Sequence, residues 1–73
     1  MSANGVIAIF RRVLETDDVE MDSDFFVLGG DSLLATRVLS VIAREFGVEL
    51  TFADLVSSPS PVTLSKCIAS SAR

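Results

Sequence analysis

The chain has 73 residues, 49% of them hydrophobic, with one cysteine, no histidine and a formal charge of −4. That length suits one domain, spanning residues 1–73,. A lone thiol without imidazoles excludes an internal disulfide and a zinc site, and an acidic chain with no basic stripe excludes a nucleic-acid binder. The core must therefore hold by packing alone, for which short apolar-rich helices are the natural means. No apolar run is long enough to span a bilayer. The opening Met1-Ser2-Ala3-Asn4 does not lead into a cleavable apolar segment,. The single cysteine suits a reducing compartment, so the expectation is a monomeric cytoplasmic domain.

From Val6 to Thr16 the apolar residues Val6, Ile7, Phe10, Val13 and Leu14 recur at helical spacing,. Asn4 or Ser2 offers a cap. An acidic stretch follows. Seven of the ten acids fall between Glu15 and Asp31, which reads as a long solvated loop anchored by Val19 and Met21,. Asp22 and Asp24 alternate, but the ligand ladder and closing Glu of a calcium loop are absent,. A loop this long in so small a domain points to function. Phe25, Phe26, Val27 and Leu28 should pin it to the core, and Gly29-Gly30 marks a turn,.

Asp31 is a good cap for a second helix from Ser32 to Phe46, ended by Gly47,. Thr51 and Asp54 frame a capping box for a one- or two-turn helix through Leu55 or Val56,. Ser60 caps a last helix with Pro61 at its first position and Leu64, Cys67 and Ile68 on its apolar face,. Val48-Glu49-Leu50 alternates but is too short for a strand. The expected fold is all-α: a four-helix bundle of three main helices plus one short helix, with a long loop between helices 1 and 2.

The second helix has two faces. At about 100° per residue, Ala35, Val38, Leu39, Ile42 and Phe46 form a core stripe flanked by Leu34,. Leu33, Thr36, Arg37, Ser40 and Arg44 lie opposite, with Val41 at the edge. Leu33 is then a single exposed leucine or part of a mixed apolar and basic partner face. Ser32 stands where unpaired N–H groups and the positive end of the helix dipole favour a phosphate ester. On these grounds alone it is either an anion-ready hydroxyl or an ordinary residue beside its cap.

The string Asp24-Phe-Phe-Val-Leu-Gly-Gly-Asp-Ser-Leu-Leu34 closely resembles the signature of peptidyl carrier proteins, the thiolation domains of nonribosomal peptide synthetases. The likeness runs on through Ala35-Thr36-Arg37, Arg44-Glu45-Phe46-Gly47-Val48-Glu49-Leu50, Phe52-Ala53-Asp54-Leu55 and Ser58-Pro59. It implies a four-helix bundle carrying 4′-phosphopantetheine, transferred from coenzyme A to Ser32 by a phosphopantetheinyl transferase. The arm's thiol would hold aminoacyl or peptidyl cargo as a thioester. By position it implicates Leu28, Asp31, Leu33, Arg37 and Val41 in partner contact, joined by Leu55 of the third helix. The implied partners are adenylation and condensation domains, with epimerisation or thioesterase domains as further candidates. Asp31 before the serine resembles carriers that precede epimerisation domains. Val27 departs from the small or acidic residue common at its position. Arg37 and Arg44 favour the peptidyl type over fatty-acid carriers, whose second helix is acidic, and a polyketide carrier is the nearer alternative.

Two rivals belong to other classes. Gly30-Asp31-Ser32-Leu33 also spells the nucleophile motif of GDSL-type esterases, but a serine hydrolase needs a histidine base and the chain has none,. The chain is also too short for their layered α/β fold. A helical interaction module without a prosthetic group is the other rival. The balance of these readings is a carrier, not an enzyme.

Overall fold

The computed structural model describes residues 3–71 as four helices: α1 (Ala3–Leu14), α2 (Ser32–Phe46), α3 (Phe52–Ser57) and α4 (Pro61–Ser71). Among the described residues there is no strand, as expected. α1 packs against α2 and α4, and the short α3 bridges α2 and α4. Val6, Ile9 and Phe10 of α1 meet Ala35, Val38 and Ile42 of α2 and Leu64 and Ile68 of α4 in one core. Leu55 of α3 and Val48 of the preceding link complete it. Ile9, which the expected stripe omits, is as buried as its neighbours.

α1 begins and ends earlier than its apolar pattern suggested. Asn4 lies inside the helix and is not its cap, and Ser2 falls outside the described residues. The C-terminus closes at Glu15, whose φ of 54° is left-handed. The Thr16 N–H donates to the Arg11 carbonyl at 3.2 Å. This is a Schellman-type ending, a place glycine usually fills. Glu15 adds backbone strain and puts a negative charge at the negative end of the helix dipole. Glu15→Gly should therefore stabilise the domain by about 1 kcal/mol and raise the melting temperature by about 4–8 °C, read by calorimetry.

The long loop is held down at a few points. Val19 and Phe25 are buried, whereas Met21 and Val27 are exposed. Both exposed residues depart from expectation: Met21 was expected as an anchor, and Val27 as one of four pinning residues. Met21 anchors the loop through its backbone instead, its carbonyl accepting the Val62 N–H at 3.0 Å. The Phe25 N–H donates to the Pro59 carbonyl at 2.8 Å. Both bonds tie the loop to the start of α4. Locally, the Asp18 N–H donates to Thr16 Oγ1 and the Glu20 N–H to Ser23 Oγ, which turns the acidic stretch without packed side chains.

These contacts also account for the first N–H groups of α4. Pro61 has none, Val62 donates to Met21, Thr63 donates to Ser60 Oγ at 3.3 Å, and Leu64 donates to the Ser60 carbonyl at 2.8 Å,. Ser60 is thus the cap expected from sequence. At α3 both halves of the expected capping box form: the Asp54 N–H donates to Thr51 Oγ1 at 3.2 Å, and the Thr51 N–H to Asp54 Oδ2 at 2.9 Å. Cys67 is half-buried against the core, and burial, followed by the nearby Asp54 carboxylate, pushes its thiol pKa up. Its neutral form suits the packing role expected of it.

Candidate functional site

The segment before α2 is a single helical turn with both ends satisfied. Asp24 Oδ1 accepts the Phe26 N–H at 2.8 Å and the Val27 N–H at 3.2 Å, so Asp24 caps its start,. The Leu28 N–H reaches the Asp24 carbonyl at 3.0 Å. At the other end the Gly29 N–H donates to the Phe26 carbonyl and the Gly30 N–H to the Phe25 carbonyl. That bond pair, with Gly29 at φ 103°, is a Schellman closure,. Gly29 supplies the left-handed conformation.

Gly30 has a different task. A Cβ there would overlap the Phe25 ring, with Cζ 2.7 Å away and Cε2 and Cδ2 closer still. Phe25 is fully buried and meets Phe10 and Phe26 edge-on, at centroid distances of 5.2 and 5.1 Å. The backbone therefore crosses directly over a buried ring just before α2.

Asp31 then caps α2 as expected. Its backbone is extended, and Oδ1 accepts the Leu34 N–H at 2.9 Å. Its carbonyl accepts the Ala35 N–H at 2.8 Å. The N–H groups of Ser32 and Leu33 have no partner among the described residues. Ser32 is the first helical residue and is exposed. The Thr36 hydroxyl donates to its carbonyl at 3.0 Å, while its own hydroxyl is engaged by no described residue. An exposed hydroxyl beside two free N–H groups at the positive end of a fifteen-residue helix fits a tethered phosphate ester,. Asp31 brings a negative charge close by, but its carboxylate is committed to the cap.

The other expected residues divide by burial. Leu33 is 63% exposed, and Arg37 is exposed on the same side of α2. Leu28 and Val41 are half-buried and pack partly on the core. Leu55 requires correction: it is fully buried and cannot touch a partner. Phe52 and Val56 are the exposed apolar residues of α3. In a helix of six residues Leu55 turns inward while Phe52 and Val56 turn out. Phe52 also meets Phe26 edge-on at 6.2 Å, which couples α3 to the turn before Ser32. Val27, at 84% exposure, adds an apolar tip to that turn. The sequence reading singled out Leu55 on this helix and not Phe52 or Val56, although two apolar residues four apart on a short capped helix were a usable signal of its outer face.

Among the described residues no three of His, Cys, Asp and Glu gather into a metal-binding group. No described helix is long and apolar enough to cross a membrane.

Known proteins share this arrangement. Residues 4–68 match the family described as "Phosphopantetheine attachment site". The pyochelin synthetase PchE of Pseudomonas aeruginosa is 49% identical over 57 residues, covering 78% of this chain and 4% of that protein. Surfactin synthase subunit 1 of Bacillus subtilis is 38% identical over 65 residues, covering 89% of this chain and 2% of that protein. The chain thus spans a small fraction of these relatives. Among solved structures, a peptidyl carrier protein in complex with the phosphopantetheine transferase Sfp and coenzyme A superimposes with a TM-score of 0.91 at 28% identity. That match covers 96% of this chain and 91% of the other. A four-helix fold, a capped turn closed by two glycines and an exposed serine at the head of α2 thus coincide with a family match over nearly the whole length, and the chain belongs to the phosphopantetheine attachment family as a carrier domain of the peptidyl type.

Proposed function

We propose that Ser32 is the residue that bears the 4′-phosphopantetheine arm and that residues 1–73 act as one thiolation domain in nonribosomal peptide assembly. The observation that carries this reading is the exposed Ser32 hydroxyl at the capped head of α2. Bound there, the group supplies a thiol that holds aminoacyl or peptidyl cargo as a thioester. The chain's own residues present and orient. Asp24, Gly29 and Gly30 shape the turn, Asp31 fixes the first turn of α2, and the N–H groups of Ser32 and Leu33 would be available to the ester phosphate. Ser32 has no base of its own, since the chain contains no histidine. Its hydroxyl proton must be taken by the transferase, so the domain is substrate and carrier and not itself an enzyme.

The partners are the transferase and the domains that load, condense and release the cargo, working in the cytoplasm. Their contact face comprises Leu33 and Arg37 of α2, Leu28 and Val27 of the turn, and Phe52 and Val56 of α3, with Asp31 and Val41 at its margins. An exposed cluster of apolar residues edged by arginine has the make-up of a transient protein interface,.

Mass spectrometry tests the assignment. After incubation with coenzyme A and a broad-specificity transferase, the wild type should gain one phosphopantetheine and Ser32→Ala none. An unmodified wild type, where a control carrier is converted, refutes it.

A further inference from the structure

We propose that an open groove between α1 and α2 is a second docking site, and that it takes an acidic helical segment of a protein partner. The groove has a volume of about 490 Å³ and is lined by Arg12, Val13 and Glu15 from α1 and by Thr36, Arg37, Ser40, Val41 and Arg44 from α2. It runs along α2 away from Ser32; Arg37 and Val41 of its α2 wall also belong to the face described above, whereas its α1 wall has no part in it.

Its charge runs against that of the chain. The domain is acidic as a whole, yet three guanidiniums line this groove against the single carboxylate of Glu15. Arg12 is already held, its Nη2 lying 2.8 Å from Glu45 Oε2. That is the one ion pair among the described residues, so Arg37 and Arg44 present uncompensated charge. They lie seven residues apart, two turns along one side of α2 and separated by about 10 Å of rise,. Between them the half-buried Val41, with Val13 from α1, gives the groove apolar lining, and Ser40 and Thr36 add hydroxyls.

This pattern selects its occupant. A small anion would need converging donors, whereas these charges are spread over two turns around an apolar strip. A helix laid along the groove answers each feature when it carries carboxylates at heptad spacing and an apolar residue between them. Opposite charges at such flanking positions set partner choice and orientation in paired helices. The volume suits several side chains and not a lone ion.

The test uses the full ¹⁵N-labelled chain and a synthetic amphipathic helix with glutamates at heptad spacing around leucine. A lysine version of that peptide, inorganic phosphate and a single-stranded oligonucleotide are the comparison arms. The glutamate peptide should shift the amides of Val13, Thr36, Ser40, Val41 and Arg44. Arg44→Glu should weaken binding about fivefold or more, Arg44→Lys should retain it, and added salt should reduce it. Ser32→Ala should bind as the wild type does, so the outcome is independent of the attachment assignment. No groove shifts at millimolar peptide, equal binding of the lysine peptide, the same shifts with phosphate or oligonucleotide, or unchanged binding by Arg44→Glu would each overturn the proposal.

Discussion

Gly30→Ala should be among the most damaging single-methyl changes in this domain. The added Cβ would overlap three atoms of the Phe25 ring, which is fully buried and bounded edge-on by Phe10 and Phe26. A ring so enclosed cannot simply swing into solvent, so the backbone must lift or the aromatic cluster must repack. Overpacking of this kind costs about 3 kcal/mol, against a total stability of roughly 4–11 kcal/mol for a chain of this length. The melting temperature should fall by about 12–24 °C. Gly29→Ala is the informative control. A Cβ there meets nothing within 4 Å, so its cost of about 1 kcal/mol comes from φ alone,. Phe25→Leu should partly rescue Gly30→Ala, because the two changes share one overlap and cannot be additive. Equal melting temperatures for the two glycine variants would disprove the overlap. Ser32 lies two residues on, so Gly30→Ala should also slow its modification even below the melting temperature.

These two glycines show where sequence reasoning stops. Gly-Gly announces a turn, but not that one glycine provides a left-handed backbone and the other clears a ring. The second fact needs Phe25 in place. The boundaries of α2 were legible because both signals are local: Asp31 caps its own first turn, and Gly47 adopts φ 69° at its end. The capping box of α3 and the Ser60 cap of α4 were legible for the same reason. The end of α1 was not, since a glutamate in a left-handed conformation gives no sign in its residue type. Met21 and Val27 were misjudged because an irregular segment has no period from which side-chain direction can be read. Asp24 was taken as one solvated acid among several, although its carboxylate caps the turn that leads to the site.

The candidate site divides along the same line. Ser32 was singled out by its motif and Leu33 by helix phase, and both are exposed. The groove beyond them was invisible, because Arg12 and Val13 join it only through the packing of α1 on α2. Arg37 and Arg44 were noted on a surface, yet a surface becomes a groove only when a second helix supplies its other wall.

Leu55→Ala should act on stability where Leu33→Ala acts on partner contact. Leu55 is fully buried in the core that joins α3 to the bundle. Truncating it leaves a cavity that costs about 2–5 kcal/mol and lowers the melting temperature by about 8–40 °C. A helix of six residues cannot stand on its own propensity, so α3 should lose protection from hydrogen exchange before the other helices do. Leu33 is 63% exposed, and its truncation should change stability by no more than about 0.5 kcal/mol,. Removing an apolar contact from the centre of a partner face should still lower kcat/KM for loading about tenfold. The outcome that reverses the placement of the two residues is also clear: a large fall in melting temperature for Leu33→Ala with little change for Leu55→Ala. If the placement is right, any loading defect in Leu55→Ala should disappear once temperature is lowered enough to refold α3, whereas the defect in Leu33→Ala should persist. Partner contact on α3 then falls to Phe52 and Val56, which Leu55 supports from below.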